Sequence, residues 1–128
     1  MNTRKLTVLT AIAGILALGE FGTAVMIGLG EVGKDTVTWP VGVVFGTFFL
    51  VVAWLLRSGR VGAGAIFAGI LCLFEVIEFP SWHKHDVLDW VYQSAVALVA
   101  LAGLIAAIAV LAARLRRRAV AEAAPPGN

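Results

Sequence analysis

The stretch "LCLFEVIEFPSWHKHDVLDW", residues 71–90, decides how this chain is read. It starts as an apolar run with Glu75 and Glu78 set inside it and breaks at Phe79-Pro80. A short loop with His83, Lys84, His85 and Asp86 follows, and the sequence turns apolar again around Asp89. A helix on the surface of a soluble domain carries a polar face opposite its apolar stripe. Here the flanking runs are apolar all round, with single carboxylates as the exceptions. The stretch reads as two membrane helices joined by a hydrophilic turn.

The rest of the chain agrees. Of 128 residues, 60% are hydrophobic and only 14% charged, too little polar surface to cover a soluble core of this size. Crossing a bilayer takes about 20 mostly apolar residues. Four runs approach that length, over residues 6–30, 39–56, 61–79 and 87–113. They are continuous and lack the period-two alternation of a barrel wall. Between them lie "GEVGKDTVTWP", with Pro40 suited to a first helical turn, "RSGR", and "FPSWHKHD". The expected fold is all-α: an integral membrane four-helix antiparallel bundle in residues 1–118, with 119–128 as a disordered cytoplasmic tail.

Charge sets the expected orientation. Arg4 and Lys5 precede the first run, Arg57 and Arg60 separate the second from the third, and Arg114, Arg116, Arg117 and Arg118 follow the fourth. The opposite side holds only Lys34 and Lys84. Positive residues favour the cytoplasmic side, so both termini are expected in the cytoplasm of a multi-pass cell-membrane protein. The arginine cluster at 114–118 is expected to anchor this topology and to attract anionic lipid. The small net charge of +2 and the lack of aromatic-basic interleaving argue against nucleic acid. The opening "TRKLTVLTAIAGILALG" also has the form of a secretory signal, with Ala17-x-Gly19 as a cleavage site. The apolar run continues through "FGTAVMIGLG", which favours a full span.

Depth brings the carboxylates together. A helix rises about 1.5 Å per residue, so Glu20 and Glu75, each about 14 residues into its run, stand at a similar level. Glu78 lies one turn higher on nearly the face of Glu75, and Cys72 one turn lower. An ionised carboxylate at the bilayer centre costs about 2.5–3.5 kcal/mol on insertion scales, so such groups face protein or water. Two placed together hold a proton between them or bind a cation. Glu20, Glu75 and Glu78 are therefore the candidate cation- or proton-binding residues. His83, His85 and Asp86 are candidate ligands for a divalent cation such as Zn²⁺, Mn²⁺ or Fe²⁺ in the outer loop, with Asp89 beside them.

Each has a plainer reading. Glu20 can serve as interhelical glue, Glu78 can reach headgroup water, and Asp86 with Asp89 can cap the fourth helix. The histidines can be exposed loop residues and Cys72 a small apolar packing residue. Trp82, Trp90 and Tyr92 suit an interface belt.

Small residues supply packing surfaces: Gly42-x-x-x-Gly46 in the second run, Gly14, Gly19 and Gly22 in the first, Gly62, Gly64 and Gly69 in the third, and Ala102, Ala106 and Ala109 in the fourth. There is no phosphate loop, nucleophile elbow, cysteine pair or HExxH, so a non-enzymatic role is expected. In length, span number and Glu20 the chain resembles the small multidrug transporters. Those commonly insert in both orientations with little charge bias, and the strong bias here sets this chain apart.

The leading expectation is a small subunit or partner- and ion-binding bundle with an outward-facing acidic and histidine site, either in a larger membrane complex or as a homo-oligomer. The alternative is a small oligomeric proton- or cation-linked transporter or channel. A redox subunit holding metal or haem through His83 or His85 fits less well, because both histidines lie in a loop.

Overall fold

The computed structural model describes residues 3–28, 39–81 and 87–123, and among these there is helix and tight turn but no strand. Four helices form: α1 Thr3–Gly28, α2 Trp39–Arg57, α3 Val61–Glu78 and α4 Val87–Ala123. All four are long and apolar enough to cross a membrane. The shortest, α3 with 18 residues, is about 27 Å long, close to the hydrocarbon thickness of a bilayer.

Local chemistry sets the ends. Pro40 sits in the first turn of α2, where its missing N–H costs nothing. α2 stops at Gly59, which takes a left-handed φ of 91°. There the Arg60 N–H bonds back to the Leu55 carbonyl at 2.9 Å, a Schellman ending that turns the chain straight into α3. α3 tightens into a 3₁₀ turn at Phe79–Ser81, over the proline that prevents it from continuing.

α1 packs on α2 and α4, and α3 packs on the same two helices, so α1 and α3 stand at opposite corners of a square. Neighbours run antiparallel and the diagonal pair runs parallel. The starts of α1 and α3 and the ends of α2 and α4 thus share one end of the bundle. That end gathers Arg4, Lys5, Arg57, Arg60, Arg114, Arg116, Arg117 and Arg118, eight of the ten lysines and arginines.

The interior is built from Leu9, Leu16, Phe49, Val52, Leu56 and Val110, with small residues at the closest approaches. The outside is apolar too. Ile15, Leu18, Val25, Ile70, Leu98 and Ile105 are all more than half exposed. Water would not tolerate that surface, and lipid would.

Two expectations shift. α4 does not end near residue 113 but continues to Ala123, so residues 119–123, read as the start of a disordered tail, are helical. Alanine, arginine and glutamate are strong helix formers, and no breaker occurs before Pro125. Secondly, the face that α4 turns inward is not Ala102, Ala106 and Ala109. Ala100, Gly103, Ala107 and Val110 are buried, whereas Ala102 is exposed and the other two are only half-buried. Gly103 fixes this rotation, because a Cβ there would lie 2.7 Å from the Cys72 Sγ and 2.9 Å from the Ile12 Cγ2.

Candidate functional site

Glu20 on α1 and Glu75 on α3 come from opposite corners, yet their side chains are joined by a hydrogen bond across the middle of the bundle. Glu75 is 2% exposed and Glu20 9%. A hydrogen bond between two carboxyl groups requires a proton on one of them, since a pair of carboxylates has acceptors only. The second oxygen of Glu75, Oε2, is buried and finds no hydrogen-bond partner among the described residues. An unpaired polar atom inside a fold is costly.

Both flanks of Glu20 are held. On the α2 side Gly42 lies against its backbone; a Cβ on Gly42 would come within 2.7 Å of the Glu20 carbonyl oxygen. On the α4 side the Tyr92 hydroxyl donates to the carbonyl of Gly19, and Thr23 Oγ1 lies 2.9 Å from that carbonyl and 3.1 Å from the Tyr92 oxygen. Gly22 leaves room for this clasp, its Cβ position being 3.2 Å from the Tyr92 hydroxyl. Phe45 of α2 stacks on Phe74 at 5.3 Å, bracing α3 next to Glu75.

The other expected members fall differently. Glu78 is half-buried one turn above Glu75. Cys72 is a buried free thiol one turn below, with its Sγ against Gly103. His83, His85 and Asp86 lie outside the described residues. Among the described residues no three His, Cys, Asp or Glu groups come together in a way that would hold a metal.

Two features were not anticipated. Asp89 stands in the first turn of α4, as the capping reading expected, but it is only 2% exposed and not a solvated loop charge. The Gln93 Oε1, one turn further on, is also buried. The signal was present in the spacing: positions 89, 93, 96, 100, 103, 107 and 110 alternate by four and three, which is one helix face. The Tyr92 clasp was also missed, because an aromatic near a helix end reads first as an interface residue.

Fold and site together define a class: an all-helical bundle of four membrane-length apolar helices with a hydrogen-bonded carboxyl pair bridging its diagonal. Comparison with family models, curated proteins and solved structures gives no match.

Proposed function

We propose that this chain is a multi-pass integral membrane protein that binds and releases a proton at the Glu20–Glu75 pair. It would work as a small proton-binding subunit, with both termini in the cytoplasm and the pair facing the opposite compartment. The observation that carries this reading is the hydrogen bond between two buried carboxyls, whose geometry depends on a shared proton. The apolar exterior and the collection of eight cations at one end support the membrane setting and its direction. A bound cation is the competing occupant, since two carboxylates offer hard oxygen ligands. The proton is favoured because the two groups already bond to each other. Transport would require assembly with further chains, since Phe49, Val52, Leu16 and Val110 fill the interior of a single bundle.

The test is an infrared titration of the full chain in lipid nanodiscs, following the C=O band of protonated carboxyl groups. Glu20→Gln and Glu75→Gln should each remove or displace a titrating band that Glu78→Gln leaves in place, with helicity retained in all three. If the band is indifferent to both substitutions, the pair is not a proton site. If added monovalent or divalent cations abolish the band in the parent alone, the occupant is a cation.

A further inference from the structure

Away from the carboxyl pair, a groove of about 510 Å³ opens on the side of the bundle at its basic end, between the start of α1 and the end of α2. Leu6, Thr7, Thr10, Ala11, Leu56 and Arg57 line it. Its polar side chains carry one guanidinium and two neutral hydroxyls, with no acid among the lining residues. Arg57 is exposed and forms no ion pair with a described residue. Thr10 donates its hydroxyl to the Leu6 carbonyl at 2.8 Å, which leaves its oxygen a lone pair and turns no charge into the groove. The eight cations of this end are opposed by Glu122 alone among the described acids.

An occupant must satisfy two demands. It must carry a negative, multidentate oxygen group for Arg57, and it must be apolar where Leu6, Ala11 and Leu56 form the wall. A soluble anion meets the first and not the second, and a neutral lipid the reverse. We propose that the α1–α2 groove binds an anionic phospholipid, its phosphate on Arg57 and the Thr7 hydroxyl, one acyl chain along the apolar wall. A guanidinium suits this role because its fork matches phosphate oxygens in pairs. Basic pockets between membrane helices on the cytoplasmic side are recurrent lipid headgroup sites. This site is separate from the Glu20–Glu75 pair and does not depend on its function.

Trp54 gives a local reporter. It lies on α2 one turn before Arg57 and is 58% exposed. Of the other three tryptophans, Trp39 opens α2 and Trp90 lies in the first turn of α4, both at the opposite end, and Trp82 falls in the sequence between α3 and α4, outside the described residues. A full-length variant with Trp39, Trp82 and Trp90 replaced by Phe is placed in phosphatidylcholine vesicles with a small fraction of brominated phosphatidylglycerol or, in parallel, brominated phosphatidylcholine. Trp54 should be quenched preferentially by the anionic lipid. Arg57→Gln should reduce that preference about fivefold, the effect of one arginine at an anionic surface. Arg60→Gln is the control, because the Arg60 guanidinium sits 5.8 Å from the Trp54 ring but outside the groove; the preference should survive it. Inorganic phosphate should not compete.

Equal quenching by the two lipids overturns the proposal. So does a preference lost equally in both arginine variants, which would mark a diffuse field of the basic end, or displacement by inorganic phosphate, which would mark a free-anion site. Native mass measurement of the unaltered chain from mixed nanodiscs, with and without Arg57→Gln, gives the same comparison without the tryptophan changes. Loss of retained phosphatidylglycerol in the variant is expected, and unchanged retention refutes the site.

Discussion

Replacing Gly42 by alanine should damage this protein more than replacing any other glycine of the α1–α2 interface, and the reason can be worked from distances. The new Cβ would lie 2.7 Å from the Glu20 carbonyl oxygen, 3.1 Å from the Ala24 Cβ and 3.2 Å from the Ala24 nitrogen. Two of these three are backbone atoms, so no rotamer relieves the contact. Opening the shortest from 2.7 Å to an ordinary contact of at least 3.4 Å requires α1 and α2 to part by about 0.7 Å. Dispersion between packed atoms falls by a quarter to a half over a gap of that size. Overpacking of this kind costs about 1–3 kcal/mol.

Two internal controls make the test decisive. At Gly46 the three atoms nearest to an added Cβ all belong to the ring of Phe21, at 2.9 to 3.0 Å, and a half-buried ring can turn for about 0.5–1.5 kcal/mol. At Gly14 nothing lies within 4 Å, so alanine should be neutral or gain up to about 1 kcal/mol from helix propensity. The measurement is reversible unfolding in mixed micelles, titrated with a denaturing detergent and followed by helical circular dichroism. Stability should fall in the order Gly14→Ala, parent, Gly46→Ala, Gly42→Ala. Because the strained atom belongs to Glu20, Gly42→Ala should also displace the carboxyl infrared band, and Gly46→Ala should not. A Gly42→Ala protein as stable as the Gly14→Ala protein would show that the helices do not approach at this point.

Other outcomes follow from the same contacts. Tyr92→Phe removes the hydroxyl that donates to the Gly19 carbonyl and should cost about 0.6 kcal/mol, and at most about 1.7, in the same titration. No loss would mean that the α1–α4 clasp adds nothing over packing. Gly103→Ala should destabilise by about 1–3 kcal/mol through its collision with the Cys72 Sγ and the Ile12 Cγ2. Adding Cys72→Ala should restore part of that loss, and a strictly additive double variant would contradict the contact.

Much of the architecture was legible because it depends on length and breakers. Gly59, Pro40 and Pro80 fall where the helices end or begin, and the positions of the arginines follow the chain back and forth to one end. Helical rise alone put Glu20 and Glu75 at one height. What could not be read was rotation. In a helix apolar on every side, hydrophobicity carries no facing signal, and an alanine-rich stretch such as residues 100–113 offers several equivalent small-residue stripes. Which stripe turns inward is decided by partners distant in sequence, here Cys72 and Ile12 against Gly103. The burial of Asp89 was hidden for a related reason: a carboxylate beside a loop looks solvated until the helix it opens is known to tuck that face against its neighbours.

The carboxyl pair and the glycine contacts are parts of one arrangement. α1 is gripped at consecutive residues from two sides, at the Glu20 carbonyl by Gly42 of α2 and at the Gly19 carbonyl by Tyr92 of α4. With both flanks occupied, the direction left for the Glu20 side chain is the diagonal toward α3, where Glu75 waits. A bulkier residue at 42 would spread α1 from α2, and loss of the Tyr92 hydroxyl would loosen it from α4; either frees the Glu20 backbone to turn. A shared proton needs two oxygens held at hydrogen-bond distance, and long side chains reach that geometry only when the backbones beneath them cannot move. The small residues at the helix contacts therefore do more than let the helices pack, because they fix the aim of a side chain that the bilayer would otherwise drive toward water.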